Sequence, residues 1–109
     1  MPHECRTPRN RFGKLAVELR TQVNLSFRGL AREIGVSYQL LYLIETDKSH
    51  LTLDILKGYI KTFRDRGVSE DKIETLIRYA AEVLNTIRLK SIKKEEDKLR
   101  LIKTALEMI

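Results

Sequence analysis

Gln39, Tyr42 and Leu43 are spaced three and four residues apart, so a helix through them carries all three on one face. In the same stretch Leu41 and Ile44 form the opposite, apolar face, with Leu40 at its margin. The inner face has a core to fill. The outer face offers an amide, a phenol and an aliphatic chain with nothing in its own helix to meet. An amide presents a donor and an acceptor side by side, which suits recognition by hydrogen bonding. Covalent chemistry is not expected. The chain has no glycine-rich phosphate loop and no nucleophile–base constellation. Its two histidines and single Cys5 lack ligand spacing, and His3 with Cys5 makes at most a two-ligand site on an arm. No enzyme activity, no metal and no cofactor are therefore expected.

Local signals define the elements that must hold this face. Phe12, Leu15, Ala16 and Leu19 predict a helix over residues 11–22, which Asn24 and Leu25 break. Ser26 can cap a second helix over 27–34, with Leu30, Ala31 and Ile34 inward. Gly35 ends it, because glycine enters the left-handed conformation without strain, and Val36 drops toward the core at the corner. Ser37 caps the third helix, residues 38–46, and a polar loop follows. Thr52 can cap a fourth helix ending near Phe63, built on Leu53, Leu56, Tyr59, Ile60 and Phe63. Ser69 followed by Glu70 and Asp71 starts a fifth, with acids where the helix dipole favours them. Along it Ile73, Ile77, Ala80, Leu84 and Ile87 keep a four–three spacing, the seam of a helix packed along another helix. KKEEDK at 93–98 marks a bend or break before Leu99, Ile102, Leu106 and Ile109 resume the pattern. The expected fold is all-α.

The first ten residues, with two prolines and Arg6 and Arg9, are expected to form a flexible basic arm. Net charge is +6, which favours a polyanionic partner. Residues 1–50 carry eight Lys/Arg against five acids, whereas residues 69–109 are nearly balanced at nine against eight. The positive excess thus accompanies the short helices. No apolar run reaches the roughly 18 residues that span a bilayer, so no membrane association is expected. The N-terminus has no signal-like apolar stretch, and a lone cysteine forms no internal disulfide, which together predict a cytoplasmic protein.

Two short helices joined by a tight glycine-containing turn make a helix-turn-helix, whose second helix can enter a major groove N-terminal end first. The stretch LSFRGLAREIGVSYQLLYLIETDKS, residues 25–49, resembles the Cro and lambda-repressor (XRE-type) family of regulators. The resemblance rests on Leu25, Leu30-Ala31, Ile34-Gly35-Val36-Ser37, Leu41, Ile44-Glu45 and Lys48, and covers roughly residues 11–63. It implies that Ser37, Tyr38, Gln39, Tyr42 and Leu43 meet bases, Gln39 by a bidentate bond to adenine and Leu43 at a thymine methyl. It implies backbone contacts from Ser26, Phe27, Arg28, Lys48 and Ser49, with Arg6, Arg9 and Arg11 following the phosphates or entering the minor groove. Arg20 and Glu45 fall where relatives place an ion pair between the first and third helices. Phe27 stands where many members have Gln, and the third helix carries neither Arg nor Lys.

The expected organisation is therefore a flexible arm at 1–10, a four-helix, repressor-like helix-turn-helix domain at 11–66, and C-terminal helices at 69–109. The expected partner is double-stranded DNA, bound at an inverted repeat by a homodimer that pairs through Ile73, Ile77, Ala80, Leu84 and Ile87, although the same stripe could instead fold back on the domain. The alternative is an antitoxin-like or adaptor protein whose C-terminal helices grip a partner protein while DNA binding is auxiliary.

Overall fold

The computed structural model describes residues 9–46, 51–84 and 94–107. Its described residues form six helices and no strand: α1 (Arg11–Gln22), α2 (Phe27–Ile34), α3 (Tyr38–Glu45), α4 (Leu53–Asp65), α5 (Glu70–Val83) and α6 (Glu95–Glu107). The fold is all-α, as expected. No helix among the described residues is long and apolar enough to cross a membrane.

Helix ends follow local capping chemistry. Ser26, Ser37, Thr52 and Ser69 each accept a hydrogen bond from the backbone N–H three residues on, satisfying a donor that the helix itself leaves free. Asn24 takes a left-handed φ of 57° after α1, and the Leu25 amide then reaches back to the Arg20 carbonyl at 2.9 Å. Asparagine is among the few residues that tolerate this conformation. Gly35, at φ 89°, closes α2. Its amide and that of Val36 both bond to the Ala31 carbonyl, at 2.8 and 3.0 Å. That compact exit turns the chain into Ser37 and α3 within three residues.

One core runs through the described helices. Phe12, Ala16 and Leu19 of α1, Leu30 of α2, Leu41 and Ile44 of α3, and Leu56, Tyr59 and Phe63 of α4 are all fully buried. The Phe12 and Tyr59 rings meet edge to face with centroids 4.9 Å apart. Helix α5 lies on α1 and α4, and α6 packs on α4 and α5.

This packing corrects the use expected of the α5 stripe. Ile73, Ile77, Ala80 and Leu84 are at most 5% exposed within the single chain, so the seam faces the chain's own helices and is not open to a second copy. Ile87 lies outside the described residues. The helix also stops sooner than its pattern suggests, because Leu84 is extended at ψ 124°. Of KKEEDK, Lys93 lies outside the described residues and Glu95 opens α6. The acids at 96 and 97 fall in the first turn of α6, where the dipole favours negative charge.

Candidate functional site

The face of α3 opposite Leu41 and Ile44 is the open one. Tyr38 is 40% and Leu43 36% exposed, and they are the exposed large hydrophobic residues among the described ones. Gln39 is exposed between them and Ser37 is exposed just before Tyr38, while Tyr42 is half-buried. Ser37 Oγ already accepts from the Leu40 amide, so its hydroxyl fixes the start of the helix before it meets anything else.

This face forms one wall of a solvent-open notch of about 710 Å³. Tyr38, Gln39, Tyr42 and Leu43 line it from α3, Ser26, Phe27 and Arg28 from the start of α2, and Arg20 and Arg9 from α1 and the residues before it. Among the described residues its lining holds three arginines and no carboxylate. The Arg20 guanidinium lies 5.1 Å from the Phe27 ring centre, and the Arg28 guanidinium 4.7 Å from that of Tyr38. Phe27 and Tyr38 meet edge to face at 6.5 Å. Two cation–π pairs thus share one aromatic contact, which orders the long arginine side chains. Phe27 supplies the surface that holds Arg20.

A clamp behind the notch fixes the far end of α3. The Asn10 side chain donates to the Ile44 carbonyl at 2.8 Å, and the Asn10 amide donates to the Glu45 carbonyl at 2.9 Å. Asn10 Oδ1 also caps α1 by accepting from the Gly13 amide at 2.7 Å. One residue therefore satisfies orphan groups at the start of α1 and the end of α3, and it sets opposite dipole ends together. Gly13 permits the close approach, since a Cβ there would collide with the Glu45 backbone.

The Glu45 side chain is fully buried at this junction. It accepts from the Tyr59 hydroxyl at 2.8 Å and from Arg9 Nε at 3.3 Å. Burial pushes its carboxyl above the usual value of 4.5, while the Tyr59 bond and the charges of Arg20 and Arg9 pull it back down. The Tyr59 hydroxyl is driven well above its usual value of 10, by burial first and by the Glu45 charge second. The ion pair expected between Arg20 and Glu45 is thus replaced. Arg9 makes the contact, and Arg20 acts on the carboxylate only through its charge. Arg20 Nε is buried without a hydrogen-bond partner among the described residues, and the guanidinium stacks on Phe27.

Of the residues singled out from the sequence, the notch gathers Tyr38, Gln39, Tyr42, Leu43, Ser26, Phe27 and Arg28, with Ser37 exposed nearby. Arg9 lines it too, but its side chain is only 14% exposed and engages Glu45, so the expected flexible arm is already anchored at residues 9 and 10. Arg11 is not brought there. Its guanidinium lies 4.5 Å from the Tyr79 ring centre on α5. Arg6, Lys48 and Ser49 lie outside the described residues. Sequence reasoning missed Asn10 and the presence of Arg20 in the notch. An asparagine directly before a periodic helix is a cap signal that pointed to Asn10, whereas nothing local to Arg20 indicates Phe27 as its neighbour. No group of three or more His, Cys, Asp or Glu able to hold a metal occurs among the described residues. No protein-family model, curated protein or solved structure matches this chain.

Proposed function

We propose that the chain is a sequence-specific, double-stranded DNA-binding regulator of the Cro and lambda-repressor kind. In this reading α2, the Gly35 turn and α3 act as a helix-turn-helix, residues 11–66 form the DNA-binding unit, and α5 and α6 brace it from behind. The observation that supports it most is the open α3 face, with Gln39 and Leu43 lining one notch with three arginines and, among the described residues, no carboxylate. A helix that meets a phosphate-lined groove needs that charge pattern. Gln39 would read an adenine edge and Leu43 a thymine methyl. Arg28, Ser26 and Phe27 at the start of α2 would meet the backbone. A pair of copies on an inverted repeat would have to join through a surface other than the buried α5 stripe.

Fluorescence anisotropy with labelled duplex from upstream of its own gene, against scrambled duplex of equal length, tests this. Specific recognition predicts a preference of roughly a thousandfold or more at physiological salt. Equal affinity for both duplexes overturns it.

A second reading is favoured by the same exposed Tyr38 and Leu43, which suit a protein contact as well as a groove. In that case α3 docks a partner protein, and the complex survives salt concentrations that dissolve a DNA complex.

A further inference from the structure

We propose that the notch in front of α3 is a ligand site for a small planar aromatic anion, an aryl carboxylate or aryl phosphate. The inference does not rest on the DNA reading. Its volume of about 710 Å³ falls within the range of small-molecule pockets, which are mostly apolar with a few placed polar groups. The rings of Phe27, Tyr38 and Tyr42 and the Leu43 side chain supply the apolar body. Arg20 and Arg28 supply the charge. Neither is in salt-bridge contact with a carboxylate among the described residues; Glu45 is bonded by Arg9 and meets Arg20 only through its charge.

The two kinds of group are combined in a way that selects one ligand chemistry. A bare anion would find the guanidiniums but leave Tyr42 and Leu43 in water. A neutral ring would cover those side chains but leave the exposed Arg28 guanidinium without a carboxylate contact among the described residues. A flat ring bearing an anionic group satisfies both, with the ring against Tyr42 and Leu43 and the anion toward the arginines. The stacked geometry keeps Arg20 and Arg28 ordered before the ligand arrives, which reduces the entropy lost on binding. Seated there, the ligand covers Gln39, so it excludes any other occupant of the α3 face.

The test titrates the isotope-labelled full chain with phenyl phosphate, inorganic phosphate or benzyl alcohol and follows backbone amide shifts. The inference predicts saturable shifts at residues 26–28 and 38–43, with phenyl phosphate binding at least tenfold more tightly than either control. Arg28 is exposed, so Arg28→Ala leaves the fold intact, and it should weaken phenyl phosphate at least fivefold. Arg28→Lys keeps the charge but loses the planar stack and should fall between the two. Equal affinity for phenyl phosphate and inorganic phosphate would reduce the notch to a basic patch and overturn the inference. Shifts centred elsewhere, or no response to Arg28→Ala, would overturn it as well.

Discussion

Glu45 is a carboxylate placed where water does not reach, and its partners set how it responds to pH. Burial raises its pKa above the ordinary 4.5, so the folded chain keeps this proton at pH values where the unfolded chain has released it. Stability tied to Glu45 is therefore fully present below about pH 4.5, declines as pH rises through the raised value, and is level above it. Glu70 and Glu74 carry the opposite sign. Arg64 and Lys103 hold them below the usual value, so their contribution is lost as pH falls. A comparison of the native chain with Glu45→Gln cancels these exposed pairs. Urea midpoints measured from pH 4 to pH 8 should show the native chain losing stability relative to the variant as pH rises, and parallel profiles would contradict this. Tyr59→Phe keeps the ring against Phe12 but removes the hydroxyl from Glu45. Removing the hydroxyl leaves a buried carboxyl oxygen without its donor, which costs about 1–3 kcal/mol, so a loss of that order is expected. An unchanged midpoint would mean that Arg9 alone holds the carboxylate.

The contact between α1 and α3 is an element-scale device, because it aims the open face by holding one end of the helix. Gly13→Ala forces a methyl group into the Glu45 backbone, and overpacking of this kind costs about 1–3 kcal/mol. Thermal melts should show the loss, and an unchanged or higher melting temperature would remove the clamp from the account. Ile77→Ala checks the other side of the molecule. Truncating a buried Ile should cost about 2–5 kcal/mol, independent of protein concentration. A concentration-dependent effect would return Ile77 to an interface between copies. These elements also show what a sequence can carry. The spans of α1 and α2 coincide with the expected residues because Ser26, Asn24 and Gly35 mark their ends by local chemistry. The partner of the α5 stripe was not legible, since a four–three spacing says that a helix packs but not against which helix. The exchange of Arg20 for Arg9 at Glu45 was equally hidden, because it depends on where residue 9 returns in space. The α3 face itself was legible from Gln39, Tyr42 and Leu43, but its closure into a notch required the placement of Phe27 and Arg20.

At the scale of the whole molecule, the net charge is +6, and among the described residues the notch in front of α3 is lined by three arginines and no carboxylate. If phosphates neutralise that notch, affinity falls linearly with salt on a log–log plot, and removing one phosphate contact lowers the slope by about one. Arg28→Ala should do so for every duplex alike, whereas Gln39→Ala should act at one base position only. A slope unaffected by Arg28→Ala would take the start of α2 out of the interface. The central claim is that the outward face of α3 reads sequence. Its most direct measurement is selection from a random duplex pool by the native chain and by Gln39→Ala in parallel. The account predicts that the native chain enriches a defined motif containing an A·T pair, and that the variant enriches the same motif with that pair relaxed. Enrichment of no motif by the native chain would contradict it.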